Sequence, residues 1–435
     1  STMASIVSSV KALNAFLKHS KTSFLRHHVT RKADGAATKR LLHVVMGNEA
    51  LDLDSTVSSV LLANLYHHYY MDVRDTSTKN ALAVDVLPLL PIDRRDFVLR
   101  QDADALLRQV GVDLQQLVFL DDLATGPQSV KESLLNCQRA GQLRITLTDH
   151  NLLSHDFKDF TSSVVGIVDH HVDQSDPAHA NLSQERELVV VGSATTLVAD
   201  RYLGLTPLPR LAPNSDFDPT TLLDAAIANL LLGTILIDTV DMKPSMGRGT
   251  PKDQAAIDGI VKALVASGDQ FGLATIEERT ALFEHLQAIK FDLSRLTSAE
   301  LLRKDYKAWR AGQKYGIASV TLSTADWVAK DSNMADTFST YMREQEIAFL
   351  IVMTSYSDPD FKRELMAMAA PGSESLLDQV LKATQESLTL TPAPTPSSLS
   401  ASGSQIKFFT QADIKLSRKQ VQPAVHEALL SGSSG

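Results

Sequence analysis

From residue 41 to about 268, short β-branched runs alternate with stretches of helical spacing. This rhythm predicts an α/β fold, a mostly parallel sheet flanked by helices. Strands are expected at residues 41–46, 81–87, 117–120, 144–148, 164–168 and 188–191. Ligands of such sheets gather outside the carboxyl ends of the strands, so the polar residues after these runs are the first candidates for function. Near the N-terminus Ile6, Val7, Val10, Leu13, Phe16 and Leu17 recur at helical spacing and predict an amphipathic, docked helix. The longest apolar stretch, residues 222–240, is interrupted by Asp224, Asn229 and Asp238. Charges are costly at bilayer depth, so it reads as a buried core helix, and no membrane partner is expected. After Gly272 the rhythm changes to helices near 282–296 and 299–309, then strands near 317–322, 347–354 and 364–369. These predict a second, smaller α/β domain, with a divide at 1–272 and 273–435. The Pro/Ser-rich stretch 391–404 reads as a flexible insertion within it.

Composition narrows this picture. A chain of 435 residues exceeds one ordinary core, and 44% apolar with 21% charged residues is the balance of a folded globular protein. The formal net charge of −9 lacks the basic surplus of nucleic-acid binders, so no nucleic-acid partner is expected. A single cysteine, Cys137, excludes an internal disulfide framework and a cysteine metal cluster, and a reducing compartment follows. The first forty residues hold eight Lys or Arg and one acid, Asp34, a composition shared with transit peptides. A cytoplasmic location is the default expectation, with an organellar address as the alternative.

The strand ends are acidic. The first is followed by Gly47-Asn48-Glu49-Ala50-Leu51-Asp52-Leu53-Asp54-Ser55, the fourth by Asp149-His150-Asn151 and the fifth by Asp169-His170-His171. The buried helix delivers Asp238. Asp52, Asp54, Asp149, His170 and Asp238 thus form a candidate cage whose carboxylates repel unless divalent cations neutralise them. Oxygen ligands with imidazole suit Mg²⁺, Mn²⁺ or Co²⁺. An Asp or Ser after a strand is also a common helix N-cap, and Asp54 or Ser55 suits that role. Asp121-Asp122, after the third strand, competes with Asp149.

The run Val-Gly-Ile-Val-Asp169-His170-His171 resembles the motif that names the DHH phosphoesterases, with three further acidic motifs in that superfamily's order. The first motif, with Asn48 where related soluble pyrophosphatases usually carry His, resembles the eukaryotic exopolyphosphatase and prune branch. So do Gly233 to Thr239, Leu302 to Lys307 and Leu416 to Pro423. The resemblance implies a two-metal centre in the first domain, with an active site in the cleft between it and a DHH-associated substrate-binding domain. It assigns Asp52, Asp54, Asp149, His170 and Asp238 to metal, with Asn48 beside Asp52. It makes Asp149 a bridge and Asp169 the acceptor that orients His170. His171 contacts phosphate, and Lys307, Arg418 and Lys419 clamp substrate, with His150 at a related polar position.

The activity implied is hydrolysis of the terminal phosphate of inorganic polyphosphate by a water held between two divalent cations. Mg²⁺ comes first, on the hardness of the Asn48 site, and Mn²⁺ or Co²⁺ next. Asp149 and His171 are the catalytic candidates. Pyrophosphatase or nucleotide phosphodiesterase activity of the same centre is the alternative, and a non-catalytic prune-like interaction protein is a third reading. Gly192-Ser193-Ala194-Thr195-Thr196 opens a helix and either lends N–H groups to the site or simply packs closely. Chain-length preference and oligomeric state are not legible.

Overall fold

The computed structural model describes residues 10–29, 40–76, 83–123, 129–209, 217–268, 272–399 and 405–432. The chain divides into two compact units, Ser1–Phe291 and Asp292–Gly435.

The first unit is built on strands β1 (Arg40–Met46), β2 (Ala83–Leu90), β3 (Val118–Phe119), β4 (Leu143–Thr148), β5 (Val164–Asp169) and β6 (Glu185–Leu188). They form one sheet in the order β3-β2-β1-β4-β5-β6, and every pairing is parallel. The order reverses between β1 and β4, the switch point at which doubly wound sheets bind their ligands. β1 is buried along its length after Arg40, which is why its sequence is apolar on both faces except at His43, whose buried ring bonds Tyr70 and Thr146. The helix Ala225–Asp238 is buried from Ala225 to Ile237, as a helix apolar on every side must be. Among the described residues no helix is long and apolar enough to cross a membrane. The N-terminal helix Lys11–Phe24 buries Leu13, Phe16 and Leu17 as its spacing predicts, and Val10 is buried just before it; Ile6 and Val7 lie outside the described residues.

Three expectations are corrected here. The divide falls after Phe291, not after Gly272, because Leu282, Phe283 and Leu286 of the helix Ile276–Phe291 belong to the first unit's core. Gly233 makes room for that helix: a Cβ there would come within 2.8 Å of Leu106 and 3.4 Å of Leu286. The sixth strand lies at Glu185–Leu188 rather than 188–191. Its acids pair with the buried Arg201, whose Nη2 lies 2.5 Å from Glu185 and 2.8 Å from Glu187, so the strand is charged where an apolar run was sought. Finally, the helix expected at 299–309 stops at Lys304, and Tyr306–Ala311 is a strand.

That strand is β7 of the second unit, followed by β8 (Gln313–Val320), β9 (Phe349–Ser357), β10 (Phe361–Ala369), β11 (Leu390–Ala393) and β12 (Lys407–Gln411). The sheet order is β11-β12-β10-β9-β8-β7, and only β8 and β9 run parallel. One core joins the sheet to the helices Glu374–Thr384 and Arg418–Gly432 through Leu377, Val380, Val421 and Val425. The stretch read as a flexible insertion begins as the edge strand β11, and residues 400–404 lie outside the described residues.

Candidate metal centre

Asn48, Asp52, Asp54, Asp149, His170, His171 and Asp238 line a single cavity of about 330 Å³, with Val191, Gly192 and Arg248 completing the wall. The loop after β1 and the turn after β4 meet here, on either side of the switch point.

Each side chain is aimed by its own local structure. Asp52 caps the helix Leu53–Thr76, its Oδ1 accepting from Ser55 N at 3.0 Å. The cap is therefore Asp52 itself, not the Asp54 or Ser55 considered from sequence. Asp54 stands on the first turn of that helix and is buried. Its carboxylate accepts from Ser193 Oγ at 2.8 Å, Ala194 N at 2.6 Å, Thr195 N at 2.8 Å and Thr195 Oγ1 at 2.6 Å. The Gly192–Thr196 segment thus serves Asp54, at the start of the helix Ala194–Tyr202, where a negative charge is favoured. Asp149 adopts a left-handed backbone with φ 62°, which turns it out of β4 immediately after its N–H bonds Val168 O at 3.1 Å. Asp238 ends the buried helix, and its Oδ2 is buried with no hydrogen-bond partner.

The two histidines are oriented differently from the expectation. His170 Nδ1 meets Val191 O at 2.9 Å, which leaves Nε2 facing Asp149 Oδ1 at 3.2 Å and Asp54 Oδ2 at 3.7 Å. Asp169 was expected to orient that ring, but its Oδ1 holds the ring of His171 instead, 2.8 Å from Nδ1. Asp169 also accepts from the backbone N–H of His170 at 2.8 Å and from Asn151 Nδ2 at 2.6 Å, so its lone pairs are spent on structure. The side chain of His171 is 57% exposed, open to a ligand at the mouth.

Asn48 lines the cavity as a donor. Its Nδ2 reaches Asp149 Oδ2 at 2.8 Å and Asp149 O at 3.1 Å, while Oδ1 accepts from Leu51 N at 2.9 Å. In that arrangement its N–H group holds Asp149 in place and one lone pair of Oδ1 is taken by the loop, a positioning role beside the place next to Asp52 where a ligand was expected. His150 points elsewhere. It lines a neighbouring cavity with Leu152, Leu153, Phe157 and Gln174, its Nδ1 bonded to Thr148 O at 3.0 Å. Burial lowers its pKa, as suits a neutral ring.

The electrostatics are those of a site lacking counter-charge. Desolvation first, and then the Asp54 charge, push the carboxyl groups of Asp149, Asp238 and Asp52 above the usual carboxylate range. Desolvation pulls His170 down, but its bond to Asp149 and the Asp54 charge prevail and raise it to about 10. Clustered acids with a buried, unpartnered oxygen fit a divalent cation, which would replace shared protons as the neutralising charge. Asp149, Asp169, His170 and His171 also bring one ligand atom each to within 4.8 Å of one another.

In the second unit, Lys307 and Lys419 are exposed on β7 and the helix Arg418–Gly432. Arg418 is engaged with Asp305, Nη2 at 2.5 Å from Oδ1 and Nη1 at 2.8 Å from the carbonyl. Two groups escaped sequence reasoning. Arg248 had no motif to mark it. Arg100, whose Nε donates to Ala50 O at 2.5 Å, ties down the loop that carries Asp52, and only the folded chain brings it there.

Comparison with known proteins follows the same lines. Residues 284–428 match the DHHA2 domain. Exopolyphosphatase PRUNE1 of Rattus norvegicus is 30% identical over 399 residues, covering 90% of this chain and 76% of the relative. Its Homo sapiens counterpart is 30% identical over 397 residues with the same coverage. Protein prune homolog 2 of Mus musculus is 24% identical over 82% of this chain but only 10% of that far longer protein. With that identity across 90% of its length and a DHHA2 domain in its second unit, the chain belongs to the exopolyphosphatase and prune branch of the DHH phosphoesterase superfamily.

Proposed function

We propose that the protein is an exopolyphosphatase, hydrolysing the terminal phosphoanhydride of inorganic polyphosphate with two divalent cations held in the carboxylate cavity. The observation that carries this reading is the buried Asp238 Oδ2, unpartnered among Asp52, Asp54 and Asp149 in one cavity beside His170. Mg²⁺ is the first choice of ion, and Mn²⁺ or Co²⁺ the second, for a set of hard oxygens with one imidazole. Asp52, Asp54, Asp149, His170 and Asp238 would hold them, and bound there they would lower the pKa of a water and offset phosphate charge.

The chain's own residues supply the rest. Asn48 fixes Asp149 through its amide N–H, so the carboxylate keeps one orientation while its other lone pairs face the cavity. Val191 O holds His170 Nδ1, leaving Nε2 for the metal side. Asp169 accepts from Nδ1 of His171 and turns Nε2 toward the mouth, where the ring in its protonated form can donate to a phosphate oxygen as negative charge builds there. A polyphosphate leaving group needs little more than such a hydrogen bond. Lys307, Arg418 and Lys419 are assigned to substrate phosphates, Arg418 by its planar fork and the lysines as point charges. Arg418 must then exchange its bond to Asp305, or share it, when phosphate arrives. The single cysteine, buried and 3.5 Å from His28, accords with a reducing compartment such as the cytosol.

The test is phosphate release from tripolyphosphate, long-chain polyphosphate, pyrophosphate, ATP and cyclic AMP, side by side with Mg²⁺ and Mn²⁺. Polyphosphate turnover well above the other substrates is the expected result. Preference for pyrophosphate or cyclic AMP would move the assignment to the sister activities of the same centre, and no turnover with any of them would refute it.

A further inference from the structure

We propose that Arg248 is a substrate-binding residue of the first unit, a guanidinium held at the rim of the carboxylate cavity to take a phosphate of the polyanion. This rests on the reading of the cavity as a metal-dependent phosphohydrolase centre.

The side chain is exposed, lines the same cavity as Asp52, Asp54, Asp149 and Asp238, and forms no ion pair among the described residues. Its position is built. The chain leaves Asp238 through Val240, Asp241 and Met242, all left-handed with φ of 53°, 55° and 52°. That conformation is unfavourable for L-residues, and especially for a β-branched valine, so the surroundings must hold it. Thr280 Oγ1 donates to Asp241 Oδ2 at 2.8 Å, and the Met242 sulfur fills the space beside Gly249, 2.5 Å from where a Cβ would stand. This run folds the chain back toward the cavity mouth.

A buried carboxylate then staples the loop to the site. Asp253 is fully buried and accepts from Thr250 N and Thr250 Oγ1, each at 2.7 Å, on the Arg248 side. On the other side it accepts from Gly192 N at 2.8 Å and Thr196 Oγ1 at 2.6 Å, within the segment that holds Asp54. Gly192 permits the contact. A Cβ there would lie 3.0 Å from Arg248 O, 3.1 Å from Asp253 Oδ2 and 2.5 Å from Thr239 Cγ2. One hydrogen-bonded unit therefore fixes both the Asp54 cradle and the backbone of Arg248.

Charge explains why a cation belongs there. Four carboxylates and two divalent cations would cancel, and His170 would serve a cation as a neutral ring, so among the residues lining the cavity Arg248 is the permanent positive charge that a polyphosphate would meet. A guanidinium can take two phosphate oxygens at once, and an exposed arginine with no ion-pair partner among the described residues is placed to do so.

The alternative is that Arg248 only counterbalances the carboxylates. The experiment compares wild type, Arg248→Ala and Arg248→Lys in three measurements: Mn²⁺ affinity by calorimetry, inorganic phosphate affinity of the Mn²⁺-loaded protein, and tripolyphosphate kinetics. Losing a charge-assisted hydrogen bond should lower phosphate affinity and kcat/KM by roughly ten- to a hundred-fold in the alanine variant. Mn²⁺ affinity should be unchanged or tighter, and lysine should restore part of the loss. Tighter Mn²⁺ binding with unchanged phosphate affinity would identify a counter-ion and overturn the proposal, as would a wild type that binds no phosphate. If wild type hydrolyses no phosphoanhydride, the functional reading falls, and the phosphate affinities still decide the role of Arg248.

Discussion

The edge and the centre of the same sheet carry acids after apolar strands and treat them in opposite ways. After β3, Asp122 accepts from Arg94 Nε at 2.7 Å and Nη2 at 2.8 Å, Lys21 lies 3.6 Å away, and Asp121 Oδ1 accepts from Arg94 N at 2.7 Å. Desolvation raises the Asp122 pKa, but the hydrogen bonds from Arg94 and Phe119 N and the charges of Arg94 and Lys21 together outweigh it, and the net shift is downward. At the switch point between β1 and β4, Asp52, Asp149 and Asp238 are shifted upward, by desolvation and by the charge of Asp54. An acid given a protein cation is part of the scaffold. Four acids gathered around a single imidazole, His170, await further charge from outside, and this contrast, rather than the presence of aspartate, separates Asp149 from its competitor.

The largest effects should come from removing single acids at each of the two places. Asp149→Asn or Asp238→Asn should cut turnover on the order of a thousand-fold or more, because each removes a charge that holds the cations. In chelator, neither should be less stable than wild type, since each relieves repulsion among clustered acids. Asp122→Asn should do the reverse, leaving kcat intact and costing about 1–3 kcal/mol through the orphaned Arg94. Measured by phosphate release and by urea unfolding in EDTA, a fully active Asp149→Asn or a catalytically dead Asp122→Asn would erase the distinction.

The edge and the centre should also titrate in opposite senses. Asp149, Asp238 and Asp52 have folded values above the unfolded one, so the folded metal-free protein binds the extra protons and loses stability as pH rises from about 4 through those values. His170 is raised to about 10, so its contribution is complete below about 6.5 and is lost as pH climbs toward 10. Asp122 is lowered, so its contribution is present above about 4 and disappears on acidification. In EDTA the melting temperature should therefore fall between pH 6.5 and 9, and Asp149→Asn, which removes the carboxylate that raises His170, should flatten that slope. Saturating Mn²⁺ at a thousand times its Kd should add about 4 kcal/mol, most visibly at the alkaline end. A chelated protein whose melting temperature rises over this range would show that the acids are already neutralised by the chain.

How much of this was legible in the sequence follows the same physics. Periodicity located five of the six first-unit strands because they are buried and apolar, and missed the span of β6 because Glu185 and Glu187 answer to Arg201, a partner sixteen residues from Glu185 on a helix. The motifs placed the acids of the cavity, since strand ends at a switch point are a topological fact. Hydrogen-bond direction was not legible. Nothing in Asp169-His170-His171 says that the carboxylate holds the second ring and a backbone carbonyl the first. Arg248 escaped for a similar reason, since three left-handed residues and the bond from Gly192 to Asp253 bring it to the mouth.

The smallest expected effect concerns Asn48, where the two regimes meet in one side chain. It carries no charge, yet it touches the uncompensated Asp149 through Nδ2 while Oδ1 caps the loop at Leu51 N. In Asn48→His, one ring nitrogen can replace the cap or the bond to Asp149, but the ring cannot reproduce both with amide geometry. If the ring keeps the Leu51 bond, its other nitrogen becomes a new lone pair at the cavity wall, and softer ions should gain. The ratio of Mn²⁺- to Mg²⁺-supported rates should then rise a few-fold while the melting temperature in EDTA falls slightly. If the ratio stays fixed while the melting temperature drops, Asn48 acts only by positioning Asp149 and the loop, and the hardness of the centre is set by the carboxylates alone.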